Sequence, residues 1–350
     1  MKKIITALCF SIVAFSVVAQ NNPSINQADT ARQQRETDQV LREVGPGDSV
    51  PSLFSEEDAD IGPQTVLRKK KPTWFRGTAD AQIFYTDNMF FQDGNEQEAG
   101  LAVTTVEAAL TTPPYITRFA SYRAEVGYRH QFFNYFGSDD VLAVPGTILT
   151  RRFDAEDFDF DSSTAFAEIV AQTKHYQFRA GFDYTRLLGF EPLRADDYEE
   201  FYREYVPRWS VQRNLRVCDR SMLSLAYLGS YHFADEDPPV IFGFVPPALL
   251  RLIPDDRSER WEHTFLAAYS FALPCNVIVQ PYYRFQYTDF ANLETELYLN
   301  TAGLALGWYP CANFGVRGFA GYNWQYSDRS NVAEYEQLNA GGGVNVTLRF

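Results

Sequence analysis

Four histidines, His130, His175, His232 and His263, are the side chains in this sequence best suited to general-base chemistry or metal binding. Ser230 precedes His232 by two residues, and an acidic run begins at Asp235, so a Ser–His pair is conceivable there. No hydrolase motif surrounds that pair. The sequence also contains no Gly-rich phosphate loop and no His-Glu-x-x-His pattern. It therefore predicts no enzyme, no metal centre and no cofactor.

Polar residues from Trp74 onward alternate with apolar ones in segments of roughly 10 to 16 residues. Successive side chains of a strand point to opposite faces, so each segment predicts a strand with one apolar and one polar face. Between 119 and 132 the apolar face contains Tyr122, Ala124, Val126 and Tyr128, and the polar face contains Arg123, Glu125, Arg129 and Gln131.

Twelve such segments are predicted, at 74–86, 100–112, 117–132, 162–173, 176–189, 202–215, 219–233, 261–273, 276–289, 296–309, 313–327 and 335–350. Most connections between them alternate between short and long, as in bacterial outer-membrane barrels. Aromatic residues make up 16% of the chain, which suits a barrel with aromatic girdles. The predicted fold is all-β: a transmembrane antiparallel up-and-down barrel of about 12 strands, preceded by a disordered leader.

A soluble β-sandwich or lipocalin-like barrel has the same period of two, with its apolar face inside. Strand length, the asymmetry of the connections and the aromatic strand ends favour a membrane location.

Three segments are predicted along the chain. Residues 1–19 form a signal peptide: Lys2 and Lys3 precede an apolar run, and Val17-Val18-Ala19 is a small-residue cleavage site. Residues 20–72 form a disordered periplasmic leader, and residues 73–350 form the barrel. The leader ends in a basic run, 68–71, which is either a solvated charge run or a collar beside anionic headgroups. The predicted location is the outer membrane.

The C-terminal strand, with Val346, Leu348 and Phe350 at alternate positions, resembles the terminal signal of outer-membrane barrels. This resemblance implies recognition by the barrel-assembly machinery. The stretch Tyr85-Thr86-Asp87-Asn88-Met89-Phe90 resembles the opening strand of porin-2 type β-barrel proteins. It covers a few residues, and no functional residues of that family map onto this sequence.

The polar face is expected to line the lumen. Its charged members are Arg76, Asp80, Glu107, Arg123, Glu125, Arg129, Glu168, Arg179, Asp183, Arg208, Arg284, Arg317 and Arg349. Arginines outnumber carboxylates, which favours a porin-like channel for passive diffusion of small polar or anionic solutes. A packed interior competes with the channel, because twelve strands lie between filled eight-stranded barrels and open barrels of 16 or more. The sequence also allows a structural or interaction barrel without an open pore, and a polysaccharide-export barrel.

Acidic residues cluster in three predicted outer loops. They are Asp154, Glu156, Asp157, Asp159 and Asp161, then Glu191, Asp196, Asp197, Glu199 and Glu200, then Asp235, Glu236, Asp237, Asp255 and Asp256. These are either solvated loops or sites where divalent cations bridge to phosphorylated surface lipid. The expected partners are outer-membrane lipids, whereas a net charge of −14 argues against nucleic acid. The sequence does not predict an oligomeric state or the pairing of Cys218, Cys275 and Cys311.

We expect the mature protein to begin at Gln20. Substitution Ala19→Arg should block processing, because signal peptidase requires a small residue before the cleaved bond. N-terminal sequencing and the mass of the exported protein check this expectation. A mature N-terminus elsewhere would contradict it.

Overall fold

The computed structural model describes residues 74–88, 98–137, 141–142, 152–153, 156, 159–173, 175–190, 198–218, 220–236, 259–292, 295–311, 313–328 and 334–349. Twelve long strands follow one another along these residues: β1 Phe75–Thr86, β2 Ala99–Thr111, β3 Ser121–Phe136, β4 Phe160–Gln172, β5 Tyr176–Phe190, β6 Tyr198–Cys218, β7 Ser221–Glu236, β8 Arg260–Leu273, β9 Val277–Phe290, β10 Thr295–Cys311, β11 Phe314–Ser327 and β12 Tyr335–Arg349. Short strands occupy Tyr115–Ile116, Val141–Leu142 and Arg152–Phe153, and a 3-10 turn occupies Pro274–Asn276. Within the described residues, no helix combines the length and apolar character needed to cross a bilayer.

Each long strand is antiparallel to the next, and β12 pairs with β1, so the sheet closes into a barrel. In an open sheet, β1 and β12 would be edge strands with unpaired backbone N–H and C=O groups, and lipid could not form hydrogen bonds to those groups. Closure pairs them with each other. The predicted twelve-stranded antiparallel barrel is confirmed. Most strand boundaries differ from the prediction by one to four residues, and the starts of β3 and β6 differ by four. β3 begins at Ser121 because Tyr115–Ile116 folds back to pair with Tyr122 and Ser121, and β6 begins four residues early, at Tyr198.

The connections define two rims. The short-turn rim carries the connections at 112–120, 173–175, 219–220, 274–276 and 312–313, together with the start of β1 and the end of β12. The long-loop rim carries the other connections, the longest of which are 137–159 and 237–259. Cys218, Cys275 and Cys311 all lie at the short-turn rim, exposed and in no disulfide.

The strands are staggered around the barrel. A path that follows the paired residues once around the barrel returns to β1 about 18 residues away from its starting residue. For twelve strands, this offset corresponds to a strand tilt of about 45° and, if the cross-section is circular, to a backbone radius of about 13 Å. This barrel is therefore wider than the eight-stranded kind that side chains alone fill.

The two faces of the wall differ in chemistry. Outward positions carry exposed apolar side chains, among them Ile83, Val106, Leu110, Val126, Ile169, Phe265 and Leu304. Inward positions carry buried polar side chains, among them Gln82, Thr105, Gln131, Thr164, Gln286 and Asn323. A soluble barrel has the opposite arrangement, so the exterior of this barrel suits a lipid environment.

Glycines close the seam between β12 and β1. Gly341 pairs directly with Phe84, and a Cβ at Gly341 would lie 2.3 Å from the Phe84 Cβ and 2.4 Å from the Ile83 carbonyl oxygen. The Phe84 ring then packs on Phe319 of β11, with ring centroids 5.9 Å apart. The seam therefore has room for backbone but not for a side chain at 341.

We expect Gly341→Ala to destabilise the folded barrel by about 1–3 kcal/mol, because the added methyl meets backbone atoms that cannot rotate away. Gly318→Ala is the matched control, since the nearest atom to a Cβ there is 3.9 Å away. Denaturant unfolding of the barrel in lipid vesicles measures both. Equal midpoints for the two variants would contradict the role of the seam.

Candidate functional site in the barrel interior

The register places twelve of the sequence-predicted lumen residues on one inward face. They are Arg76, Asp80, Glu107, Arg123, Glu125, Arg129, Glu168, Arg179, Asp183, Arg208, Arg284 and Arg317. The Arg349 backbone pairs with Arg76, but the Arg349 side chain lies outside the described residues, as does Phe350. Val346 and Leu348 are exposed on the outward face.

A charged band occupies the inward wall near the short-turn rim. Arg76 on β1 donates to Glu107 on β2 at 2.9 Å and also to Glu125 on β3. These contacts span three neighbouring strands. Both carboxylates are buried, so the Arg76 guanidinium compensates for their lost hydration.

The same band continues on β4 to β6. Arg208 on β6 binds Asp183 at 2.9 Å through Nε and Glu168 at 3.0 Å through Nη1, and Arg179 lies 3.6 Å from Glu168. Arg208 therefore joins β4, β5 and β6 across the inward face. Each of these pairs links strands that are adjacent or two apart.

Two arginines of the inward face are exposed near the short-turn rim. Arg123 lies at the start of β3, and Arg216 lies near the end of β6. The neighbouring carboxylates Glu125 and Glu168 are buried, with 4% and 8% of their surfaces exposed. A solute at this mouth therefore meets positive charge first.

A second charged cluster lies near the long-loop rim. Its members are Tyr202 and Glu204 on β6, His232 on β7, and Arg260 and Glu262 on β8. Arg260 donates to Glu262 at 2.6 Å and to the Tyr202 hydroxyl at 3.2 Å, and the Tyr202 hydroxyl donates to Glu204 at 2.7 Å. His232 Nδ1 lies 2.8 Å from Glu204.

Sequence reasoning missed Glu204, Arg216, Arg260 and Glu262. Glu204 and Glu262 lie on the inward parity inside the predicted strands 202–215 and 261–273, so the period-two signal was available for them. Arg216 lies one residue beyond the predicted end of its strand. Arg260 was assigned to the preceding loop, since β8 was predicted to begin at Trp261. With these four residues included, arginines still outnumber carboxylates on the described inward face.

An apolar collar covers the inward wall toward the long-loop rim, mainly on β1 to β6. Its large members there are Phe84, Leu101, Val103, Phe133, Tyr135, Phe160, Leu187 and Tyr202, and the cluster also includes Ala99, Ala234, Ala305 and Phe319. Phe133 and Phe160 stack with ring centroids 4.4 Å apart, and Leu101, Val103 and Phe133 are fully buried. Sequence reasoning missed the collar for two reasons. Members such as Phe84 and Leu101 occupy positions expected to be polar, and Phe133, Tyr135 and Phe160 lie outside the predicted strand bounds.

A small cavity lies on the inward wall beside the seam. It is lined by Asp80, Gln82, Arg317, Phe319 and Asn345, among others, and its volume of about 10 Å³ fits one water molecule. Asp80 accepts a hydrogen bond from Gln82 at 2.6 Å.

Many of the acidic loop residues lie outside the described residues. Of the remainder, Glu200 pairs with Arg186, Asp235 pairs with Arg203 at 2.5 Å, and the Asp159 carboxylate accepts from the Tyr135 backbone amide at 2.6 Å. No group of three or more potential metal ligands occurs among the described residues. Cation bridging at these loops stays a prediction.

No protein-family model and no curated protein matches the chain. Among solved structures, the chain is similar to an outer membrane channel from Pseudomonas putida F1 (TM-score 0.47, 8% identity, covering 84% of this chain and 100% of that one). It is also similar to the β domain of the Bordetella autotransporter BrkA (TM-score 0.43, 10% identity, 79% and 100%) and to the KdgM porin in complex with disordered oligogalacturonate (TM-score 0.34, 10% identity, 77% and 98%). These likenesses assign no family to the chain.

Proposed function

We propose that this chain is an outer-membrane channel through which small polar or anionic solutes diffuse passively. The observation that carries the proposal is the pairing of the inward charges along the wall. Arg76 and Arg208 bind partners on strands adjacent or two apart, and Arg260 binds Glu262 on its own strand and Tyr202 two strands away. Such pairs neutralise charges between neighbouring strands without linking opposite sides of the barrel.

The proposed solute preference follows from which charges are accessible. Exposed Arg123 and Arg216 line the inward face at one mouth, whereas Glu107, Glu125 and Glu168 are buried behind paired arginines. Rings of exposed arginine favour anions in pores. The ion selectivity of the channel therefore depends on the accessible charges of the inward face. The negative net charge of the whole chain does not determine it.

The proposed location follows from the exterior. The exposed apolar face suits the hydrocarbon core, and the short-turn rim would face the periplasm. Export by residues 1–19 and insertion by the barrel-assembly machinery, through the outward Val346 and Leu348 and the terminal Phe350, belong to the same proposal.

Purified full-length protein in planar bilayers tests the channel. We expect discrete conductance steps, and a reversal potential under a salt gradient that indicates anion preference. Protein that is folded and inserted but gives no steps would contradict the channel, and cation preference would contradict the assigned solute class.

We expect Arg123→Glu to lower the anion-to-cation permeability ratio by at least about fivefold, because the substitution changes the local charge by two units and one unit at contact distance in water is worth about 1 kcal/mol. Arg118→Glu is the control, since Arg118 lies in an exposed turn beside Phe119 and outside the inward face. Reversal potentials of both variants are compared with the wild type. Equal shifts would show that the general field of the rim, and not the inward position, sets the selectivity.

The collar favours a second candidate, a barrel without an open pore. Its fully buried members Leu101, Val103 and Phe133 form an apolar surface where water enters reluctantly. If the collar closes the lumen, the protein is a structural or interaction barrel, and conductance appears only when the collar is reduced.

We expect Phe133→Ala to raise single-channel conductance, at a cost of about 3 kcal/mol in stability, because the stacked ring with Phe160 is lost. Phe132→Ala, on the outward face of the same strand, is the matched control. Bilayer recordings compare the two. A silent wild type with a conducting Phe133→Ala variant would favour the closed barrel, and unchanged conductance in both variants would remove the collar as a barrier.

A further inference from the structure

We propose that Ser230, His232 and Glu204 form a nucleophile, general base and positioning carboxylate that hydrolyse short-chain acyl esters of polar solutes at the outer mouth of the barrel. This activity goes beyond conduction and does not require an open pore. The sequence alone offered only the spacing of Ser230 and His232. The structure adds the third residue and the order of the contacts.

The geometry follows from the strands. Ser230 and His232 are alternate residues of β7, so both point inward, and Glu204 lies on the neighbouring strand β6. The Ser230 hydroxyl oxygen lies 3.0 Å from His232 Nε2, and His232 Nδ1 lies 2.8 Å from Glu204 Oε2. One imidazole nitrogen thus faces the hydroxyl and the other faces the carboxylate, the order in which a histidine accepts a serine proton while a carboxylate orients it.

The surroundings fix the base and leave the nucleophile accessible. The Tyr202 hydroxyl donates to Glu204 at 2.7 Å, and Arg260 Nη2 lies 3.6 Å from the same carboxylate. The side chains of His232 and Glu204 are 11% and 13% exposed, whereas Ser230 is half-buried. Packing therefore holds the imidazole in one orientation behind a hydroxyl that a solute can reach.

Charge on both sides of Ser230 suits the reaction. In the register, Ser230 lies opposite Arg208 on β6 and opposite Glu262 on β8. Glu262 Oε2 lies 3.6 Å from His232 Nε2 and stabilises the imidazolium formed by proton transfer.

The site indicates a substrate class. The inward wall around Ser230 is polar, which suits a hydrophilic alcohol portion. Tyr202 and Ala234 flank the cluster toward the long-loop rim and are buried, so a long acyl chain would have to displace packed side chains there. Esters such as acetylated sugars have this combination of a polar alcohol and a small acyl group.

The reaction proceeds in two balanced steps. The Ser230 oxygen bonds to the ester carbonyl carbon as its proton passes to His232 Nε2, and the alcohol then leaves with that proton as the carbon–oxygen bond breaks. A water molecule next gives a proton to His232 and attacks the acyl-serine, which releases the carboxylic acid and restores the serine proton. One ester and one water give one alcohol and one acid, with no oxidation or reduction.

The outward wall provides an internal comparison. His130 Nδ1 lies 2.8 Å from the Ser163 hydroxyl, but His130 Nε2 lies 3.7 Å from Asp161, beyond hydrogen-bond distance. Ser163 also contacts the Tyr128 hydroxyl at 3.0 Å. This second Ser–His pair therefore lacks the bonded carboxylate, and Ser163→Ala is a matched control for Ser230→Ala.

The test uses full-length folded protein in detergent, with folding checked by the mobility shift on boiling. A fluorophosphonate probe should label Ser230, as located by peptide mass spectrometry, and p-nitrophenyl acetate should release nitrophenolate. Ser230→Ala should lose both signals, and His232→Gln should lose roughly 10²–10⁴-fold in hydrolysis rate. Ser163→Ala should retain both. Glu204→Gln should lower kcat more than it raises KM, a split that a purely structural role would not produce.

Folded wild-type protein that is not labelled, or a Ser230→Ala variant with undiminished hydrolysis, would overturn the proposal. Either result leaves the bilayer conductance unaffected, so failure of the esterase and failure of the channel are distinguishable. Labelling at Ser163 instead of Ser230 would also reject the inward site.

Discussion

The barrel depends on one constraint: every backbone N–H and C=O group that faces lipid must be paired within the wall. β12 meets this constraint by pairing with β1 from Arg76 opposite Arg349 to Thr86 opposite Asn339. Once the sheet closes, the period of two assigns every residue to an inward or an outward face. The apolar exterior and the charged interior are both consequences of that assignment.

The charged interior shows how buried ions are tolerated in this wall. Glu125, with 4% of its surface exposed, is acceptable because Arg76 binds it, and Arg76 is held in turn by Glu107. The same logic applies to Arg208 with Asp183 and Glu168. Removing one partner of such a pair leaves an uncompensated charge, which costs more than the pair contributes. These networks therefore fix the relative positions of neighbouring strands.

The sequence predicted the strands well because their signal is local. Alternation along 121–132 depends only on the pleat, and the short turns are marked by residues such as Pro274. The parity of Arg208 likewise places it inward without knowledge of its neighbours. For the barrel interior, therefore, the sequence predicts which side chains point inward, but it does not predict which residues they form ion pairs or hydrogen bonds with.

What the sequence could not predict depends on register between strands. Glu204 and His232 are 28 positions apart, and only the pairing of β6 with β7 brings them to 2.8 Å. The collar was missed for a different reason. Phe84 breaks the expected polar parity of its strand, and an apolar side chain there looks the same in the sequence as a one-residue shift of the strand register. Phe133 lies one residue beyond the predicted end of its strand, at 132.

The glycine run at 341–343 has a further consequence for the whole wall. Elsewhere, neighbouring strands are joined by backbone bonds and also by interlocking side chains, whereas this stretch of β12 contributes backbone alone. Glycine inside a strand weakens the strand because it loses more conformational entropy on folding and has no side chain to pack against its neighbours. If the barrel wall opened laterally, the separation would begin between β12 and β1, the first and last strands.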